Sequence, residues 1–156
     1  MTANVIKLSR RINMALNDVE RVVARTQAGW QQYQSSGDDL YLDSVALGLH
    51  GFYNGIEGLL ENIATSLDKN LPGGSSWHRE LLEQMAEDFP GVRPAVISAD
   101  TLTILDEYLR FRHVVRNIYS YRIDPELLAP LAEGANNAFT KVSLELSEFS
   151  RWLILV

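Results

Sequence analysis

Residues 40–67 read LYLDSVALGLHGFYNGIEGLLENIATSL, and the fold turns on how this stretch is taken. Leu42, Val45, Leu49, Phe52, Tyr53, Ile56, Leu59, Leu60 and Ile63 recur mostly at steps of three and four, which lays them along one side of a helix. Gly48, Gly51, Gly55 and Gly58 interrupt the pattern, and each costs up to about 1 kcal/mol relative to alanine in a helix interior. Standing three or four apart on one flank, they predict a second helix passing close by rather than a break. Glu57 is the acid embedded in this apolar run. A carboxylate taken out of water needs a partner, and Arg112 or Arg116 is the expected one. Structural pairing is the first role assigned to Glu57 and general base the second. His50 is read as a histidine satisfied within the core.

On the N-terminal side, residues 3–35 make one long predicted helix with Val5, Ile6, Ile12, Met14, Leu16, Val19, Val22, Val23 and Trp30 as its apolar positions. Ser35-Ser36-Gly37-Asp38-Asp39 ends it and offers aspartate caps to the next helix. On the C-terminal side, DKNLPGGSS (68–76) is a loop. No strand precedes its glycines and no Gly-Lys-Ser/Thr follows them, so it is not a nucleotide loop. Ser75 or Ser76 caps a short helix, and Glu80 is placed for a capping interaction. Trp77 is taken as an anchor closing one end of the bundle, and His78 as an exposed site candidate of second rank. Ser98 or Asp100 caps a fourth helix that turns Leu102, Leu105, Tyr108, Phe111 and Val115 inward. Asp124 and Pro125 open a last helix to about residue 154. Its inward stripe is Leu127, Leu128, Leu131, Ala135, Phe139, Val142, Leu146, Phe149 and Leu153. No strand pattern occurs. The expected architecture is one domain over residues 1–156, an all-α, up-and-down bundle of four long helices plus one short helix.

Composition narrows the function. The net charge of −6 argues against broad coating of nucleic acid, which needs a basic surface. Any such contact has to be local, and LRFRHVVRNIYSYRID (109–124) is the stretch that offers it. It holds Arg110, Arg112, Arg116 and Arg122, four of fourteen basic residues, with no acid between Leu109 and Ile123. On a helix Arg112, Arg116 and Tyr119 share one face, and His113 and Asn117 line the strip beside it. A guanidinium fork binds phosphate bidentately, and a histidine or tyrosine next to it moves protons or stacks on a base. The plainer alternative is that these arginines pair with acids elsewhere in the fold.

Several chemistries are excluded. Without cysteine there is no disulfide, thiolate metal site or thiol nucleophile. None of His50, His78 and His113 has a glutamate three residues before it, so the paired-carboxylate metal centre of helical bundles is not predicted. No metal and no cofactor is expected. A serine hydrolase would need a nucleophile elbow and a sheet. The N-terminus lacks a signal-peptide pattern and no apolar run is long enough to span a bilayer, so the expectation is a cytoplasmic protein without a membrane partner.

The 109–124 stretch resembles the active motif of the HEPN superfamily, in particular its HepT-like ribonuclease toxins. Their pattern is Arg, usually Asn, three residues, His, one residue, Tyr. Here Arg112, His113, Asn117 and Tyr119 occupy those places, so asparagine stands where the family has histidine. A second register starting at Arg116 matches less well, because it puts Tyr121 at the histidine position. FYNGIE (52–57), WHRELLEQM (77–85) and RPAVIS (93–98) extend the resemblance over most of the chain. It implies a metal-independent RNA endonuclease that works as a homodimer, with the motifs of two protomers facing one composite cleft. It also implies a minimal nucleotidyltransferase antitoxin as partner, transferring AMP to Tyr119. In this reading Arg112 and Arg116 stabilise phosphate charge, Asn117 orients a phosphate or water, and His113 moves a proton. Arg110 and Arg122 add RNA contacts. The alternative from another class is a catalytically inactive HEPN-like module that binds a nucleotide, RNA or partner protein, because Asn117 replaces the histidine.

Overall fold

The computed structural model describes residues 3–116 and 123–156, with the backbone alone for Arg116. Its helices are α1 (Ala3–Ser36), α2 (Leu40–Ile63), α3 (Trp77–Met85), α4 (Ala99–Arg116) and α5 (Pro125–Leu155). Four are long and one is short, as the apolar periods predict. The described residues contain no strand. Phe89 and Arg93 form an isolated antiparallel bridge in the segment between α3 and α4.

The helix boundaries follow from local chemistry. Asp38 Oδ1 accepts from the backbone N–H of Leu40 at 3.0 Å, ahead of α2. Ser98 Oγ accepts from the N–H of Thr101 at 3.1 Å and opens α4. Asp124 accepts from the N–H of Glu126 at 2.9 Å and opens α5, with Pro125 in the first turn. Ser76 precedes α3 but makes no side-chain cap. The helical path of α2 runs on past Ile63, but its last turn widens into a π turn at Ala64–Asp68, closed by Lys69 at φ 56°.

Packing places α1 between α2 and α5, while α4 rests on α2 and α5 and α3 on α2 and α4. All nine apolar positions read along α2 are buried. Its glycines explain the close approach of α1. A Cβ on Gly48 would overlap Thr26 Oγ1, one on Gly55 would sit 2.7 Å from Val19 Cγ2, and one on Gly51 3.5 Å from Val22 Cγ1. Gly58 departs from the expectation, because a Cβ there meets nothing within 4 Å. Leu127, read as an inward position, is exposed, and so are Ile6 and Met14 among the apolar positions of α1. In α1, Ile6 and Met14 lie off the stripe through Leu8, Ile12 and Leu16 that enters the core.

One buried ion pair ties the far end of α2 to α3. Asp68 and Arg93 have side chains 0% and 1% exposed, and they meet in a two-pronged bond at 2.7 Å on each prong. Every remaining direction is filled. Arg93 also donates to the carbonyls of Gln84, Glu87 and Pro94, and Gln84 Nε2 donates to Asp68 Oδ2. Such a pair is tolerated in the interior because no charge or donor is left unanswered. It fixes the chain on both sides of α3, and so fixes where Trp77 and His78 stand.

Candidate functional site

The site is built on a polar strip along α2. His50, Asn54, Glu57 and Glu61 follow one another at steps of four, three and four, which puts them on one side of an otherwise apolar helix. Asn54 Nδ2 bonds His50 Nε2 at 2.8 Å, and its Oδ1 accepts from Arg112 Nε of α4 at 3.2 Å. His50 is thus half-buried and bonded, and it holds the Asn54 amide in the orientation that faces Arg112.

Glu57 is buried, but its described partners do not include the expected Arg112, and the side chain of Arg116, the other expected partner, lies outside the described residues. Its Oε2 accepts from the Tyr53 hydroxyl at 2.8 Å and from His78 Nδ1 at 2.8 Å. Arg112 is engaged with Asn54 instead. A carboxylate only accepts, so His78 carries its proton on Nδ1 and presents Nε2 as the remaining ring nitrogen. Burial drives the Tyr53 hydroxyl far above its usual range, helped by the charge of Glu57 and the bond to it, with Arg112 acting in the opposite sense. Tyr53 is therefore a donor that stays protonated. Burial also raises Glu61, with the Glu57 charge adding to it and His78 opposing.

His78 was expected at the surface, yet its side chain is only 14% exposed. Trp77 and His78, adjacent at the start of α3, stack with ring centroids 3.8 Å apart. His113 of α4, exposed, stands edge-on to His78 at 6.0 Å. The anchor reading of Trp77 holds in a modified form: half-buried, it backs the His78 ring. Arg79, one residue on, bonds Asp106 of α4 at 2.9 Å and Glu83 of its own helix. Arg110 also bonds Asp106, at 2.7 Å, while remaining 77% exposed. Burial works against the Asp106 charge, but the hydrogen bonds and charges of Arg79 and Arg110 prevail and hold it below the usual carboxylate range. The plainer reading of the arginines as partners of acids thus applies to Arg110.

Arg112 differs. It is half-buried, and its Nη1 is enclosed with no hydrogen-bond partner among the described residues. An enclosed guanidinium N–H without an acceptor is costly, and an anionic oxygen is the acceptor that suits it. Of the residues read from sequence, Arg112, His113, Glu57, Trp77 and His78 therefore gather where α2, α3 and α4 meet. Asn117, Tyr119, Tyr121 and Arg122 lie outside the described residues, as does the side chain of Arg116. Among the described residues no three His, Asp or Glu side chains converge as a metal site. Asn54 and Asp106 were not singled out from sequence, and Tyr53 was read only as a core position. The four-three-four spacing of polar residues inside an apolar helix is the signal that points to Asn54.

A family model described as HepT-like protein matches residues 44–153, from the first turns of α2 to the end region of α5. No curated protein and no solved structure matches the chain.

Proposed function

The chain belongs to the HepT-like family, and from that premise we propose that it is a HEPN-type, metal-independent RNA endonuclease acting as the toxin of a toxin–antitoxin pair. The observation that carries this reading is the enclosed Nη1 of Arg112, which has no partner among the described residues and lies beside Asn54 and His113. A scissile phosphate supplies the missing acceptor, and its charge grows in the transition state, where a preset donor is worth most. Arg112 stabilises that charge, with Arg116 as its helper four residues on. Asn117 orients the phosphate and His113 exchanges a proton with the substrate, which asparagine cannot do. Two protomers face one cleft, and a minimal nucleotidyltransferase is the antitoxin that fits. AMP attached to Tyr119 would bring a phosphate onto the arginines and exclude RNA by charge and bulk. Incubation with such an enzyme and ATP, followed by peptide mass spectrometry, is expected to place the added mass on Tyr119. Modification of Tyr121 instead would shift the motif register by two.

The direct test is cleavage of a mixed RNA pool in the presence of a chelator. The wild-type chain is expected to cut, and Arg112→Ala to lose on the order of 100-fold or more in rate. Its thermal midpoint should stay nearly unchanged, since a partly exposed arginine contributes little stability. Asn117→His is expected to raise cleavage. If wild type and Asn117→His are both inert on diverse RNA, the inactive binding module is the correct reading.

A further inference from the structure

We propose that His78, held by Glu57, is the general base of this cleavage, supplied by α3 rather than by the arginine-rich motif. The inference rests on the ribonuclease reading and adds to it a residue that the motif does not contain. Asn117 leaves the motif with no proton-exchanging group at the histidine place, whereas the bundle brings a second imidazole to the same corner. Glu57 Oε2 takes bonds from both Tyr53 and His78 Nδ1 at 2.8 Å. Tyr53 can only donate there, so the carboxylate fixes the His78 ring as the Nδ1–H tautomer. Trp77 packs against the ring with centroids 3.8 Å apart. Nε2 is then the nitrogen with a lone pair, and a positive charge formed on the ring is stabilised by Glu57. This is the arrangement a base requires, a proton acceptor oriented by a third group.

The step balances with the residues named. The ribose 2′-oxygen attacks the adjacent phosphorus while its proton passes to His78 Nε2. The bond from phosphorus to the 5′-oxygen breaks, and His113, 6.0 Å from His78 between ring centres, gives its proton to the departing oxygen. The products are a 2′,3′-cyclic phosphate and a 5′-hydroxyl. Exchange with water restores both rings, so no further reactant is consumed. Glu57 is a positioning residue, acting on the substrate only through His78. Glu57 from α2 and His113 from α4 face the His78 ring and Glu61 from α2 interacts with its charge, while Tyr53, the other donor to Glu57, feels the charges of Arg112 and Asp106 from α4.

The experiment measures cleavage of a short RNA by the full chain from pH 5 to 9, for wild type, His78→Gln and Glu57→Gln. His78→Gln is expected to lose 100-fold or more in kcat with KM little changed, and to lose the acidic limb of the profile. Glu57→Gln is expected to lower kcat by 10-fold or more with KM little changed, since the ring loses the carboxylate that orients it. Nitrogen NMR of wild-type His78 at alkaline pH should show the proton on Nδ1, a reading that needs neither activity nor a variant that folds. An Nε2–H tautomer, or a His78→Gln variant that cuts with the wild-type rate and profile, would overturn the proposal while leaving the ribonuclease reading intact. A wild-type chain that cuts no RNA would overturn both.

Discussion

Asp106 shows how a single acid settles the role of two arginines. It stands 10% exposed on α4 between Arg79 and Arg110, whose own side chains are 44% and 77% exposed. Because the folded state holds its pKa below the ordinary value, the pairing stabilises the fold at pH above the usual aspartate range. That contribution is lost as the pH falls through the lowered value. Solvent around both arginines keeps it small, under about 1 kcal/mol. Asp106→Asn is therefore expected to lower the thermal midpoint at pH 7 by a few degrees at most, with the gap to wild type narrowing as the pH falls below the usual aspartate range. A gap that persists unchanged at pH 3 would show that the side chain acts through packing and not through its charge. Arg112, two residues beyond Arg110, has no such acid among the described residues. Of the motif arginines whose side chains are described, it is the one without an acid partner, as the proposed anion contact requires.

Among the elements, α2 carries the strongest constraint because it must both pack against α1 and present the polar strip on another side. Gly48 and Gly58 separate these demands. Thr26 is buried against Gly48, and its hydroxyl is bonded to the carbonyl of Val22 at 2.8 Å, so its short, branched side chain has nowhere to move. Gly48→Ala is expected to cost about 1–3 kcal/mol through overpacking, more than the roughly 1 kcal/mol that alanine gains in helix propensity. Gly58→Ala meets open space and should gain up to about 1 kcal/mol, raising the midpoint by about 2–4 °C. Paired thermal melts of the two variants decide the point. Equal shifts in the same direction would mean that the glycines are not there for the approach of α1.

At the scale of the whole molecule, the prediction concerns assembly. An acidic chain with one arginine-rich stretch offers a single protomer few groups with which to hold an RNA strand. Two copies related by a two-fold axis, with their α4 faces toward one cleft, double that number without changing the fold. Light scattering at micromolar concentration is expected to give twice the mass of the 156-residue chain. A monomer at that concentration would remove the composite cleft, although the corner formed by Arg112, His113 and His78 lies within one chain and would survive it. Among the described residues no helix is long and apolar enough to cross a membrane.

What the sequence alone determined is what depends on neighbours along the chain. The five helices, the caps at Ser98 and Asp124, and the buried side of α2 follow from periodicity and from hydrogen bonds closed within three residues. The gathering of basic residues in 109–124 was legible for the same reason. The pairings across helices were not. Glu57 meets His78 from 21 residues away, and Arg112 meets Asn54 across 58. An apolar stripe fixes the rotation of a helix only to within its own width, whereas a hydrogen bond tolerates a few tenths of an ångström. The same width explains why Leu127, read into the inward stripe of α5, is exposed. Which histidine finds Glu57, and that Arg79 finds Asp106, depend on where α3 sits against α2 and α4, and the Asp68–Arg93 pair holds the chain on both sides of α3.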